Sequence, residues 1–168
     1  VIAVSKTFKI EKILPLIDHG HKDFGENKVQ EAVDKWTEIK LSNPNIQLHL
    51  IGKLQTNKVK FAVKIFDYIH SVDSEKLAKK ISEEQIKIDK KIKIFIQVNI
   101  GQEDQKSGVN LSELNSLISY CSEINLDIVG LMCIPPMNED STIYFEKMKK
   151  LNQDNNFHEV SMGMSSDY

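Results

Sequence analysis

Short apolar runs alternate along the chain with longer segments in which apolar residues recur every three or four positions. The runs predict seven β-strands, at residues 1–6, 22–26, 47–54, 68–73, 92–100, 127–134 and 159–164. The segments between them predict amphipathic helices, as at Val29, Ala32, Val33 and Trp36. Seven successive strand–helix units favour a parallel (β/α)8 TIM-type barrel over an open doubly wound sheet.

The run at residues 92–100 carries the clearest alternation. Its even positions are all isoleucine or valine, whereas its odd positions are Lys93, Phe95, Gln97 and Asn99. Side chains of a strand point alternately to its two faces, so we expect helices to cover the even face and the barrel interior to meet the odd face.

The first predicted helix contains a proline. Its apolar stripe begins at Ile10, and Gly20 is placed to cap its carboxyl end. Pro15 inside the stripe predicts a kink or a late start, because proline lacks the backbone donor that a helix interior needs.

The chain begins on a strand without an initiating methionine and stops at Tyr168, directly after a polar strand end. We therefore expect a fragment that lacks the first helix and the last β/α unit of the barrel. An unclosed barrel would expose two sheet edges.

Composition narrows the class of protein. A length of 168 residues suits one domain with its own core, here residues 1–168, and a net charge of -2 argues against a nucleic-acid or membrane partner. The basic residues are all lysine, so the chain offers no bidentate arginine clamp for an anion. Cys121 and Cys133, with no secretory segment, predict a reduced cytoplasmic setting.

Lys6 is the candidate reactive group, because it ends the first apolar run. Barrel enzymes place reactive groups at the carboxyl ends of strands, whereas a lysine in the middle of a strand would be an uncompensated buried charge. The alternative is a lysine that simply reaches into solvent.

Several histidines invite functional interpretations. The segment from Asp18 to Asp23, with His19 and His21, has the composition of a metal site, yet it coincides with a helix end where the helix dipole favours histidine. His49 and His70 lie in predicted strands, where a buried hydrogen-bonded histidine explains each as well as catalysis does.

Seven blocks of the chain together carry a family resemblance. They are Val4-Ser5-Lys6-Thr7, Phe24-Gly25-Glu26-Asn27, His49-Leu50-Ile51-Gly52, His70-Ser71-Val72-Asp73, Gln97-Val98-Asn99-Ile100, Gly130-Leu131-Met132 and Ser161-Met162-Gly163-Met164-Ser165. In this order they resemble the pyridoxal phosphate homeostasis protein family. The resemblance implies a barrel similar to the N-terminal domain of alanine racemase, which holds pyridoxal 5'-phosphate as a Schiff base without an established catalytic reaction.

The resemblance also assigns cofactor-binding residues. It implies that Lys6 is the amine that binds the aldehyde, and desolvation at a barrel mouth helps such an amine to lose its proton. The phosphate is expected at the loop after strand seven, where Ser161, Gly163 and Ser165 offer hydroxyls and close backbone approach. The alternative there is an ordinary transition from strand to loop.

Three further residues match positions near the cofactor ring. Asn27 would hydrogen-bond the ring hydroxyl or the Schiff base, although its position also suits a helix N-cap. Met132 and Met164 would pack near the ring, with core packing as the alternative.

The family's segment beyond Tyr168 is implied to complete the phosphate site and to bring an arginine to the pyridine nitrogen. An arginine there makes the ring a poorer electron sink, which suits carrying the cofactor.

Three functions follow as hypotheses. The first is a cytoplasmic, monomeric carrier and regulator of pyridoxal phosphate, with PLP-dependent apoenzymes as candidate acceptors. The second is a PLP-dependent amino-acid racemase or decarboxylase of the same barrel type, which would take its second acid or base from a further domain. The third is a barrel lyase that uses a lysine Schiff base on a sugar or keto acid.

Overall fold

The computed structural model describes residues 1–103, 105–137 and 139–164. Strands and helices alternate along these residues, with one short 3-10 helix at Thr56–Lys58. The strands are β1 (Ala3–Val4), β2 (Asp23–Glu26), β3 (Gln47–Leu50), β4 (Tyr68–Val72), β5 (Lys93–Gln97), β6 (Asp127–Met132) and β7 (Glu159–Ser161). The helices are α1 (Ile10–Asp18), α2 (Val29–Ser42), α3 (Val59–Ile65), α4 (Glu75–Lys87), α5 (Leu114–Glu123) and α6 (Ser141–Asp154).

The seven strands form one sheet in the order β1-β2-β3-β4-β5-β6-β7. Every neighbouring pair is parallel, from Ala3 opposite Phe24 at one edge to Met132 opposite Ser161 at the other. The seven predicted strands and their parallel order are therefore confirmed. Each observed strand is shorter than its apolar run, because the ends of the runs continue into the loops.

The core lies between the sheet and the helices. Trp36 of α2 and Phe24 of β2 are fully buried, with ring centroids 4.9 Å apart. The even residues of β5 join the same core, whereas Phe95 on the opposite face stacks on His70 at 4.3 Å. The two faces predicted for this strand are thus confirmed, and the odd face lines the barrel interior.

Helix α1 tolerates its internal proline. It begins at Ile10 and runs through Pro15 to Asp18. Gly20 follows with φ of +91°, and its amide donates to the Ile17 carbonyl at 2.8 Å. The predicted glycine cap is therefore confirmed, since this backbone conformation is readily adopted by glycine. No helix among the described residues is long and apolar enough to span a bilayer.

Candidate functional site at the carboxyl ends of the strands

Parallel strands bring their carboxyl ends to one rim of the sheet, and the predicted site residues gather there. Lys6 follows β1, Asn27 follows β2, Met132 ends β6, and Ser161 ends β7 ahead of Gly163 and Met164. Ser165 lies outside the described residues. The fold thus gathers to one rim residues that lie far apart in the sequence.

Lys6 lies in the turn directly after β1. Ala3 packs against the core, and Ser5 is buried with its hydroxyl donating to Glu26 Oε1 at 2.8 Å, so both point toward the helices. Val4 between them is 44% exposed on the other face. The Ser5 amide still donates to the Gly25 carbonyl at 2.9 Å, and the exposed Lys6 lies in the turn that follows, in which the Phe8 amide donates to the Ser5 carbonyl at 3.2 Å.

Helix α2 holds the turn on both sides of Lys6. Lys35 Nζ donates to the Ser5 carbonyl at 3.0 Å, and the Thr7 amide donates to Glu31 Oε1 at 3.1 Å. Thr7 has φ of +68°, a left-handed conformation that is costly for a β-branched residue. The hydrogen bond from the Thr7 amide, helped by Lys35, lowers the pKa of Glu31. The backbone of this turn is therefore strained, and the Glu31 carboxylate holds it in place by accepting a hydrogen bond.

Glu26 anchors the same turn from the helix-facing side of the sheet. Its side chain is fully buried, and Oε1 accepts from Ser5 Oγ at 2.8 Å, Lys35 Nζ at 2.9 Å and Trp36 Nε1 at 2.9 Å. Such a buried carboxylate is tolerated only when it is paired and hydrogen-bonded. The strand end that carries Lys6 is thereby fixed to the core.

Asn27 does not cap helix α2. The N-cap residue is Lys28, which makes no capping bond through its side chain, so the alternative role for Asn27 as an N-cap is wrong. Asn27 Oδ1 is buried and has no hydrogen-bond partner among the described residues. A buried acceptor without a partner costs free energy, so it marks a position that suits a ligand donor.

Gly52 allows this arrangement. A Cβ on Gly52 would lie 2.3 Å from the Asn27 carbonyl oxygen, closer than any side chain could fit. The loop after β3 can therefore press against the backbone of Asn27 only because residue 52 is glycine.

A glycine follows the end of β7. Gly163 has φ of +86°, and a Cβ placed on it would meet no described atom within 4 Å. The Ser161 carbonyl accepts from the Cys133 amide at 3.1 Å, which ties this strand end to β6. Close approach of a phosphate to the backbone fits this open glycine.

The two methionines differ in burial. Met132 is buried at the end of β6, on the interior face opposite Gln97, whereas Met164 is 44% exposed. Cys133, the residue after Met132, points into the core on the opposite side of the sheet. Burial raises the pKa of the Cys133 thiol to about 12, so it is not a nucleophile at neutral pH.

A line of polar side chains crosses the barrel interior below the rim. Asp23 Oδ1 lies 3.1 Å from His49 Nε2, His49 Nδ1 lies 3.0 Å from His70 Nε2, and His70 Nδ1 lies 2.7 Å from Ser161 Oγ. The His49 ring also stacks on Tyr68 at 4.3 Å. Sequence reasoning noted both histidines but not their connection to Asp23 and Ser161, which the interior-facing positions of β2, β3, β4 and β7 create.

Both histidines are held neutral at physiological pH. Burial, together with the neighbouring His49, lowers the pKa of His70 to about 3. Burial also lowers the pKa of His49, although Asp23 opposes this shift. Elsewhere, His21 Nε2 lies 2.9 Å from the Asp23 carbonyl, and no three His, Cys, Asp or Glu side chains of the described part converge as metal ligands.

Comparison with known proteins identifies the fold and the family. The family model described as the alanine racemase N-terminal domain matches residues 1–168. Alanine racemase of Clostridium difficile superposes with a TM-score of 0.70 at 14% identity, covering 92% of this chain and 42% of that one. At this identity the similarity concerns the fold alone.

Nearer relatives share more of the sequence. The pyridoxal phosphate homeostasis protein of Pasteurella multocida is 34% identical over 99% of this chain and 76% of its own length, and that of Aquifex aeolicus is 36% identical over 100% and 77%. PipY of Synechococcus elongatus, solved with PLP bound, superposes with a TM-score of 0.83 at 33% identity over 99% of this chain and 82% of that one. This chain belongs to the pyridoxal phosphate homeostasis protein family, whose barrel is that of the alanine racemase N-terminal domain.

Proposed function

We propose that this protein binds pyridoxal phosphate through Lys6 and acts in cytoplasmic PLP homeostasis as a carrier and regulator. Relatives at 34% and 36% identity are named for this role, and PipY at 33% identity has been solved with PLP bound. We further propose that residues 1–168 act as one cofactor-binding domain, that the protein is a monomer, and that PLP-dependent apoenzymes receive the cofactor.

The observation that carries the proposal is the rim itself. An amine after β1, an acceptor with no partner among the described residues after β2 and a positive-φ glycine after β7 share one end of the sheet. PLP would supply an aldehyde there, and Lys6 would be the amine that holds it. Asn27 Oδ1 would accept from the ring hydroxyl, Met132 would pack below the ring, and the residues from Ser161 to Ser165 would receive the phosphate.

The acids next to Lys6 favour binding over catalysis. Glu26 Oε1 accepts from Ser5, Lys35 and Trp36, and Glu31 accepts from the Thr7 amide. These hydrogen bonds occupy Glu26 Oε1 and Glu31, and the buried Glu26 Oε2 has no partner among the described residues through which to move a proton to a substrate. Both acids serve instead to hold the turn that carries the amine.

Loading of PLP tests the role of Lys6. Adding PLP to the protein should produce the visible absorbance band of a lysine Schiff base, and Lys6→Ala should abolish it. Lys9→Ala is the matched control, because Lys9 is an exposed lysine three residues further on. A band of unchanged intensity in Lys6→Ala would remove the central assignment.

A second assay separates a carrier from a racemase or decarboxylase, which the shared alanine racemase fold brings into consideration. The loaded protein is incubated with single amino acids in deuterated water, and exchange of the α-hydrogen and release of carbon dioxide are followed. A carrier leaves both signals at the rate of free PLP. Rapid turnover of any amino acid would contradict the carrier role.

A further inference from the structure

In the line of hydrogen bonds from Asp23 to Ser161, the chemistry of the side chains determines which group donates at each contact. The Asp23 carboxylate, on a half-exposed side chain, can only accept hydrogen bonds. His49 Nε2, 3.1 Å away, must therefore carry the hydrogen of that neutral ring. This leaves His49 Nδ1 as an acceptor, which fixes the tautomer of the next ring.

The same reasoning continues to the rim. His70 Nε2, 3.0 Å from His49 Nδ1, must donate to it, so His70 Nδ1 is an acceptor. The partner of His70 Nδ1 is Ser161 Oγ at 2.7 Å, which must then donate its hydroxyl hydrogen into the barrel. In this state Ser161 presents only lone pairs to the rim.

Lone pairs cannot bind a dianion, since a fully ionised phosphate or sulfate offers no hydrogen to share. Yet Ser161 ends the strand whose loop is proposed to receive the cofactor phosphate. The hydroxyl can donate to an anion only if its hydrogen bond to His70 reverses, and Asp23 opposes that reversal as long as no proton is added.

We propose that Asp23, His49 and His70 are positioning residues that orient the Ser161 hydroxyl. When a dianion binds at Ser161, the protein takes up one proton, which moves along these residues. A solvent proton enters on Ser161 Oγ, the former Ser161 hydrogen passes to His70 Nδ1, and the His70 Nε2 hydrogen passes to His49 Nδ1. His49 becomes a cation that donates to both Asp23 and His70, and Ser161 turns its new hydrogen toward the anion. This inference rests on the proposed phosphate site.

The charges around His49 suit it to hold this proton. Burial lowers the pKa of His49, whereas Asp23 on β2, which faces the ring directly, and Asp67, just before β4, raise it. Tyr68 and His70 are its neighbours on β4. The ring is therefore neutral in the free protein, and a bound dianion in the same interior adds negative charge that favours protonation.

The direction of the line is tested first without any ligand. NMR of protein labelled with ¹⁵N-histidine reports which nitrogen of each ring carries hydrogen. At pH 8 both His49 and His70 should be neutral and protonated on Nε2. A ring protonated on Nδ1 at either position would overturn the assignment, whatever the protein binds.

Asp23→Asn is the decisive variant, because it keeps the shape of the side chain and adds a donor. Its amide can donate to His49 Nε2, which lets the whole line run in the opposite direction with no added proton. The Nδ1–H form should therefore become populated in both rings. Glu38→Gln, which also removes one negative charge from an exposed position, should leave the tautomers as they are.

Proton uptake is tested with sulfate, which is a dianion throughout the neutral range. Calorimetric titrations at pH 8 in two buffers of different ionisation enthalpy should show uptake of about one proton per sulfate bound, and affinity should fall about tenfold per pH unit. In Asp23→Asn the uptake should drop to near zero and the affinity should become independent of pH. Glu38→Gln should behave as the unaltered protein.

The outcomes separate this inference from the proposed function. A Schiff-base band with PLP but no proton uptake with sulfate contradicts the positioning role and leaves the cofactor assignment standing. Proton-linked sulfate binding without a band supports the positioning role and contradicts the role of Lys6. Failure of the protein to bind sulfate, or uptake that persists in Asp23→Asn, would overturn the inference.

Discussion

The two ends of the proposed cofactor site are held in place by opposite means. The turn that carries Lys6 is held from outside the barrel, by charged side chains of β2 and α2. The end of β7 that carries Ser161 is held from inside, by two neutral histidines. The first end thus depends on ionic contacts, which respond to salt and acid, and the second on hydrogen bonds between neutral rings.

This difference suits two kinds of chemistry. A reactive amine gains from a fixed position, and the strained Thr7 with its carboxylate partner supplies one. A phosphate site gains from donors whose direction can adapt to charge, and the hydroxyl of Ser161 can change direction when a proton moves along the histidines.

The largest expected effect on stability comes from Glu26, which anchors the turn that carries Lys6. Glu26→Ala removes the acceptor for three donors and leaves Lys35 without its buried partner, so unfolding free energy should fall by about 3–5 kcal/mol. Urea denaturation measures the loss, with Glu38→Gln as an exposed control. A change below about 1 kcal/mol would mean that Glu26 does not anchor the turn.

Gly130→Ala perturbs the end of β7, which carries Ser161, and leaves the turn that carries Lys6 unchanged. The added Cβ would lie 1.7 Å from the Glu159 carbonyl oxygen, so β6 and β7 must separate. We expect a loss of about 1–3 kcal/mol in unfolding free energy and weaker sulfate binding, while the Thr7–Glu31 contact persists. Gly20→Ala, at a glycine with free space on the far edge of α1, is the control for sulfate binding.

The smallest effect should come from Glu31→Gln, and it should depend on pH. The pKa of Glu31 is lowered in the fold, so its contribution is fully present above the pKa of an unfolded glutamate, about 4.3, and is lost as pH falls through the lower folded value. The variant should be less stable than the parent by about 1 kcal/mol at pH 7 and equal to it in strong acid.

A second substitution checks why Glu31 matters. Thr7→Gly removes the conformational cost of the left-handed turn, so Glu31→Gln should cost less in that background. Thermal melts of the four proteins at pH 7 give the coupling. Equal costs in both backgrounds would show that Glu31 does not hold strained backbone.

Much of the fold was accessible from the sequence because its signals are local. The two faces of β5 follow from the alternation of its side chains, and the glycine cap at Gly20 follows from the backbone preference of glycine. Asn27 illustrates the limit of such reasoning. Its place before a helix suggested an N-cap, but Lys28 occupies that position, and the side-chain oxygen of Asn27 is buried with no partner among the described residues.

The sequence by itself determined the order of strands, their interior and helix-facing sides, and the family to which the site motifs belong. Only the tertiary structure decided that His70 meets Ser161, a residue 91 positions away, and that His49 meets Asp23, 26 positions away. Alternation within a strand says which face a side chain occupies, but contacts across the barrel depend on register and curvature. Those are properties of the whole sheet, because each strand is positioned by all of its neighbours.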